Sequence, residues 1–183
     1  MREGVHITGA AGAGTSTLGA RLAQRRGWAY AETDDALWLP TEPPYQQLRP
    51  APERIPFLRT QIPEGQPYVL SGAVLGWGEA LTPEFRLVVF LDTPREVRLA
   101  RLRLREAARF GASIGPGGAR RAEYLEFLAW AASYDAGTEP GRSRARHEAW
   151  FTTLPCPLLR LEGTLPPDEL VRRTDAALEK IFA

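Results

Sequence analysis

A glycine-rich turn between a short apolar strand and a helix is the feature that most constrains the fold of this chain. Residues 7–18 read ITGAAGAGTSTL, with glycine at positions 9, 12 and 14. Glycine lets the backbone bend so that successive amides point to one side. The unpaired amides at the start of the following helix add positive potential. The segment therefore predicts a cavity for a polyphosphate at the helix N-terminus.

The spacing of this turn matches the phosphate-binding motif G-x-x-x-x-G-K-[ST] with one exception. Thr15 stands where the motif has lysine, and Ser16 falls on the hydroxyl expected to bind Mg²⁺. The sole lysine of the chain, Lys180, lies in the last predicted helix, so no neighbouring lysine is expected to replace it. We expect the phosphates to contact the following residues: Gly9, Ala10, Ala11, Gly12, Ala13, Gly14, Thr15, Ser16 and Thr17.

The rest of the chain alternates short apolar runs with longer helical stretches. The pattern predicts strands at 5–8, 28–32, 68–71, 86–91 and 158–161. It predicts helices at 16–26, 52–61, 94–110, 120–134, 142–151 and 166–182. The unbroken apolar run at 87–91 is typical of a strand buried on both faces of a parallel sheet. We therefore expect one α/β domain over 1–183, with about five parallel strands and helices on both faces.

Composition excludes several classes of function. The net charge of +1 and the charged fraction of 25% give no indication of a nucleic-acid or membrane partner. The single cysteine, Cys156, excludes an internal disulfide. The apolar run near residue 1 is too short for a signal peptide or a membrane helix, so we expect a cytoplasmic protein.

Two neighbouring carboxylates follow the second predicted strand. Asp34 and Asp35 are expected at the carboxyl edge of the sheet, facing the phosphate turn. One is expected to bind Mg²⁺ through water, the other to accept the proton of an attacking hydroxyl, with Asp34 the first choice for function. Asp92, at the end of the strongest strand, is left open between a magnesium ligand and a helix cap. The alternative for the pair is ordinary capping of a helix.

Arginines replace lysine almost throughout and form two clusters. Arg98, Arg101, Arg105 and Arg109 share one predicted helix face, beside an apolar stripe of Val97, Ala100, Leu104 and Ala108. Arg142, Arg144 and Arg146 form the second cluster. Guanidinium groups bind phosphate oxygens in pairs and neutralise charge in a transition state. We expect Arg101, Arg105 and Arg144 to do so here, and His147 to lie at the surface.

The turn Gly9–Thr17 and the order of elements resemble the adenylate-kinase-like P-loop kinases over most of the chain. This superfamily includes nucleoside monophosphate kinases and the shikimate and gluconate kinases. The turn is especially similar to that of archaeal cytidylate kinases, some of which also carry threonine at the lysine position. The resemblance implies a three-layer P-loop NTPase fold with a helical lid, here a lid-like insertion at about 109–146.

The same resemblance implies an activity and an acceptor site. It implies transfer of the γ-phosphoryl group of ATP, with Mg²⁺, to a nucleoside monophosphate or a small hydroxylated metabolite. It locates the acceptor near Gly72 and Trp77, where glycines admit a substrate close to the backbone and Trp38, Tyr45 and Trp77 can stack on a ring.

Three alternatives remain beside a kinase. The missing lysine also fits a nucleotide-binding regulator with little or no turnover. A Rossmann-type NAD(P)-dependent oxidoreductase is suggested by Asp34, 20 residues after Gly14, at the distance of a ribose-binding carboxylate. Thr17 stands where its third glycine is required, and a Tyr-x-x-x-Lys pair is impossible with Lys180 as the sole lysine. The last alternative is a plain turn without a ligand.

Overall fold

A five-stranded sheet organises the computed structural model, which describes residues 3–137 and 141–182. Its strands are β1 (Gly4–Gly9), β2 (Ala29–Glu32), β3 (Tyr68–Ser71), β4 (Phe85–Asp92) and β5 (Leu158–Glu162). The α-helices are α1 (Thr15–Arg26), α2 (Thr33–Leu37), α3 (Ala51–Gln61), α4 (Arg95–Phe110), α5 (Arg121–Ala132), α6 (Arg144–Phe151) and α7 (Pro167–Phe182). Short 3₁₀ helices span Glu79–Glu84 and Gly111–Ile114.

The strands are all parallel, in the order β2-β3-β1-β4-β5, as the alternating pattern predicts. The central strand β1 pairs with β3 on one side and with β4 on the other, so that Val5 lies opposite both Val69 and Leu87. The two neighbours of β1 in the sheet, β3 and β4, therefore both follow it later in the chain, and the strand order reverses direction at β1. Ligands of open α/β sheets bind at such a point, outside the carboxyl ends of the strands. The glycine-rich turn begins here.

Helices cover both faces of the sheet because its central strands present apolar side chains to both faces. Leu87, Val89 and Leu91 of β4 pack on one side, in the layer of α1 and α7. Val88 and Phe90 pack on the other, in the layer of α3 and α6. Each such side chain contributes about 1.5–3 kcal/mol when fully buried. The two layers hold β1 and its turn on a rigid base.

The buried side of α4 differs from the predicted apolar stripe. Leu104 is 74% exposed, whereas Arg98, Leu102 and Glu106 are buried. Burial of Arg98 is tolerated because its Nη2 donates to Asp135 at 2.6 Å and its other donors reach backbone carbonyls. Apolar periodicity cannot anticipate a buried guanidinium whose partners come from distant residues.

His147 is buried, and its predicted surface position is wrong. Its ring lies 3.3 Å from the Thr8 hydroxyl through Nε2 and 2.7 Å from the Tyr134 hydroxyl through Nδ1, and it stacks on Phe151. Burial is the main cause that lowers the pKa of His147 to about 3, helped by nearby positive charges such as Arg142. The neutral imidazole therefore connects α6 and the chain after α5 to β1, directly before the turn.

Replacement of His147 by glutamine should flatten the dependence of stability on acid pH. The folded pKa of about 3 lies below the ordinary 6.5, so between these values the unfolded chain binds the proton first. The stability that depends on neutral His147 is thus present above 6.5 and is lost as pH falls toward the folded value. Between about pH 7 and about pH 5 the wild type should lose about 2 kcal/mol more than the variant in urea unfolding. Parallel curves for the two proteins would contradict this.

Candidate functional site

A cavity of about 850 Å³ opens at the carboxyl end of the sheet. The phosphate turn, the start of α2 and the chain after β3 line one part of it, and residues between Phe110 and Trp130, together with Arg142, line much of the rest. The cavity has room for a nucleotide together with a small acceptor. The cavity lies outside the carboxyl ends of the strands, where proteins with open parallel sheets bind their ligands.

The turn has the backbone shape that anion binding needs. Gly12 and Gly14 adopt φ angles of 80° and 104°, which favour glycine. A Cβ atom on Gly12 would lie 2.6 Å from the carbonyl oxygen of Arg98. Gly14 is the N-cap of α1 and supplies no side chain to the first amides of that helix. Those amides are therefore oriented for an anion in front of the turn.

The predicted phosphate contacts divide into two sets. Those lining the cavity are Ala10, Ala11, Gly12, Thr15 and Ser16. Those in the turn but outside the lining are Gly9, Ala13, Gly14 and Thr17. Contact with phosphate stays a prediction for all nine residues.

Side chains behind the turn fix its position. The Ala13 carbonyl accepts from Arg101 Nη1 at 3.1 Å and from the Thr93 hydroxyl at 3.2 Å. Arg101 Nη2 also donates to the Gly163 carbonyl at 2.9 Å. Arg101 lies outside the cavity lining, where it ties the turn to the loop after β5. Its predicted phosphate contact stays a prediction, and the geometry gives it a bracing role.

The two aspartates of α2 occupy different environments. Asp34 lines the cavity and Asp35 does not. Burial raises the pKa of Asp34, opposed most by the positive charge of Arg142. Burial and the charges of Glu32 and Asp34 also raise the pKa of Asp35. Of these two aspartates, only Asp34 therefore lies where a ligand in the cavity could reach it.

Glu32, which the sequence analysis missed, brings a second carboxylate to the same wall. It is the last residue of β2 and accepts a hydrogen bond from the Tyr30 hydroxyl at 2.6 Å. That hydroxyl also lies 2.8 Å from Ser71 Oγ. The sequence did contain a signal for Glu32, because it is a carboxylate at the end of the same predicted strand that Asp34 follows.

A close contact between Thr33 and Gly72 brings the chain after β3 against the start of α2. Thr33 Oγ1 accepts from the Ala73 amide at 3.0 Å. Gly72 has a φ of 111°, and a Cβ atom there would lie 1.9 Å from Thr33 Oγ1. Only glycine fits, so the chain after β3 comes close to α2 and brings Gly72 into the cavity beside Asp34.

Aromatic rings make the cavity broad and partly apolar. Trp77 lines it, and its Nε1 donates to the Ala73 carbonyl at 3.0 Å, whereas its contact with a substrate stays a prediction. Trp38 and Tyr45 form an edge-to-face pair with centroids 5.9 Å apart. Further aromatic lining residues are Phe110, Tyr124, Phe127 and Trp130. Such a wall suits a ring or the apolar face of a sugar.

Four arginines line the cavity, namely Arg105, Arg109, Arg120 and Arg142. Of the three predicted phosphate-binding arginines, this set contains only Arg105. Arg144 instead forms a paired ion contact with Asp92, at 2.7 and 3.2 Å, and a third bond with Asp135. The Arg144 bond holds the pKa of Asp92 below its usual value. Asp92 is thus part of an ion-pair network, and α4 begins with Pro94 as its N-cap.

Within residues 3–137 and 141–182, no helix has the length and apolar character to cross a membrane. No cluster of three or more His, Cys, Asp or Glu side chains forms a metal cage in that part of the chain. Ser16, Glu32 and Asp34 nevertheless bring a hydroxyl and two carboxylates to one cavity. Oxygen atoms of this kind suit Mg²⁺, which usually takes one or two protein ligands together with substrate phosphates.

Comparison with other sequences identifies a relative along nearly the whole chain. No family model matches. The chain is 42% identical over 173 residues to the protein YqaC of Bacillus subtilis strain 168, covering 94% of this chain and 96% of YqaC. YqaC is itself described as uncharacterized, so the similarity gives a relationship without an activity.

Comparison with solved structures identifies the fold. A gluconokinase from Sinorhizobium meliloti 1021 matches with a TM-score of 0.51 and 18% identity, over 98% of this chain and 93% of that one. A sugar kinase from a Janibacter species gives 0.53 and 19%, over 98% and 95%. A shikimate kinase from Bacteroides thetaiotaomicron gives 0.52 and 16%, over 96% and 98%. These matches confirm the predicted adenylate-kinase-like fold of P-loop kinases.

Proposed function

Because this chain belongs to the family of Bacillus subtilis YqaC and has the fold of small-molecule P-loop kinases, we propose that it is an ATP-dependent phosphotransferase. The observation that carries the proposal is one cavity lined by both the phosphate turn and Asp34. A phosphate donor and a base for the acceptor would meet there. The predicted cytoplasmic location and the lid-like role of 109–146 belong to the same proposal.

The turn would hold the triphosphate. Gly12, Thr15 and Ser16 line the cavity. Their backbone amides would bind phosphate oxygens, and the N-terminus of α1 favours the negative charge of those oxygens. Ser16, with Asp34 or Glu32 through water, would hold Mg²⁺. That ion, when bound, neutralises charge on the phosphates.

Asp34 would act on the acceptor. A hydroxyl must lose a proton as its oxygen bonds to phosphorus, and a carboxylate within reach accepts that proton. The raised pKa of Asp34 makes it a stronger base than an ordinary aspartate. The oxygen–phosphorus bond to the acceptor forms as the bond between the γ-phosphorus and its bridging oxygen breaks, and ADP leaves.

This base favours a small hydroxylated metabolite as acceptor. The phosphate of a nucleoside monophosphate is already anionic near neutral pH and needs no base. The second candidate, a nucleoside monophosphate, is supported by the aromatic pair Trp38 and Tyr45, on which a base can stack.

Binding and turnover assays separate this proposal from its alternatives. ATP with Mg²⁺ should raise the melting temperature, and ADP release should require an acceptor in a coupled assay over sugars, polyols and nucleotides. ATP binding without acceptor-dependent ADP release across the panel would favour a regulator. Stabilisation by NAD(P) but not by ATP would favour an oxidoreductase.

A further inference from the structure

One of the four arginines in the cavity differs from the others in its partners. The four are Arg105, Arg109, Arg120 and Arg142. The first three each lie near a glutamate, at 2.8, 3.9 and 3.0 Å respectively. Within residues 3–137 and 141–182, no carboxylate forms an ion pair with Arg142. Its guanidinium therefore retains donors for a ligand.

Arg142 is held between the turn and the predicted base. Its Nη1 donates to the carbonyl of Gly9, where the turn begins, at 3.4 Å. Its guanidinium carbon lies 5.4 Å from the centre of the Trp130 ring. Burial lowers the pKa of Arg142, and the negative charge of Asp34 opposes this most strongly. A desolvated cation with a weak hydrogen bond attracts an anion that enters the cavity.

The phosphoryl group in transit would lie in this same space, because it must pass from the turn to an acceptor beside Asp34. We propose that Arg142 supplies to the terminal phosphate the positive charge that the motif lysine usually supplies from the position of Thr15. This inference rests on the proposed phosphotransferase function. The charge comes from a residue just before the N-cap of α6 rather than from the turn itself. A guanidinium can also bind two phosphate oxygens at once, which an ammonium group cannot do with the same geometry.

Nucleotide titration by calorimetry tests the assignment. Arg142→Gln should weaken ATP binding about 10- to 100-fold, the effect of losing charge-assisted hydrogen bonds. ADP binding should change by less than about 3-fold, because ADP lacks the terminal phosphate. The matched control is Arg146→Gln, which removes an exposed arginine of α6 outside the cavity lining and should leave both affinities unchanged. Melting temperatures of the free proteins show whether each variant is folded.

A rescue experiment separates charge supply from structural support. If Arg142 replaces the motif lysine, Thr15→Lys should restore most of the ATP affinity in the Arg142→Gln background, whereas a collapsed cavity would not respond. Arg142→Lys should keep the charge and lose less than about 10-fold. If Arg142→Gln does not fold, rescue of folding and ATP binding by Arg142→Lys supports the assignment, and equal ATP and ADP affinities in that variant contradict it.

The outcomes distinguish this inference from the function beneath it. A wild type that binds neither ATP nor ADP overturns both. A wild type that prefers ATP, with an Arg142→Gln variant that keeps the preference, overturns only the role of Arg142. A variant altered only in the KM of the acceptor would assign Arg142 to the acceptor and overturn the inference as well.

Discussion

Asp34→Asn should reduce acceptor-dependent ADP release about 10²- to 10⁴-fold, the usual effect of removing a general base. The amide has nearly the size of the carboxylate but cannot take the acceptor proton. In the proposed site the phosphate turn binds the nucleotide without Asp34, so ATP should still raise the melting temperature of the variant. Steady-state rates and ATP titrations on the same preparation measure the two effects.

Asp35→Asn distinguishes the two carboxylates of α2. Asp35 lies outside the cavity lining, so the same substitution there should change the rate by less than about 10-fold. A loss at Asp35 equal to that at Asp34 would contradict the assignment of the base. Retained turnover in Asp34→Asn would remove general-base catalysis by this residue and favour a nucleoside monophosphate as acceptor.

The parts of the site that were predictable from the sequence are local in the chain. The shape of the turn follows from the spacing of its glycines, and the residues next to it in the sequence form the strand before it and the helix after it. Asp34 was predictable because it follows a strand, and parallel strands bring their carboxyl ends to one edge. The five strands followed from runs of apolar residues that match their length.

The remaining parts depend on contacts between distant residues. The position of Arg142 is set by where the chain returns after α5, which no local pattern specifies. Arg101 and Arg144 are also arginines in predicted helices, but both lie outside the cavity lining. Arg101 donates to backbone carbonyls, and Arg144 donates to the carboxylate of Asp92. His147 is buried because Thr8 and Tyr134 satisfy its nitrogens. The helix α2 was missed because a helix of five residues is too short to show a repeating pattern of apolar residues.

Gly12→Ala should remove most of the stabilisation of the protein by ATP. The added Cβ would lie 2.6 Å from a backbone oxygen, Arg98 O, and 3.0 Å from Leu102. Backbone cannot yield as a flexible side chain can, so the turn must shift away from α4. The shift and the φ of 80° should lower the free energy of unfolding by about 2 kcal/mol. Loss of two amide–phosphate contacts should weaken ATP binding about 100-fold.

The control for Gly12→Ala must be an alanine at another glycine with positive φ, where the added Cβ contacts no other atom. Gly27, the C-cap of α1, has a φ of 66°, and a Cβ atom there would meet nothing within 4 Å. Gly27→Ala should therefore lower the free energy of unfolding by about 1 kcal/mol and leave ATP binding unchanged. If Gly12→Ala also bound ATP normally, the nucleotide would not depend on the shape of the turn. Equal losses of ATP binding in both variants would instead mean that general destabilisation, and not the position of the amides, limits binding.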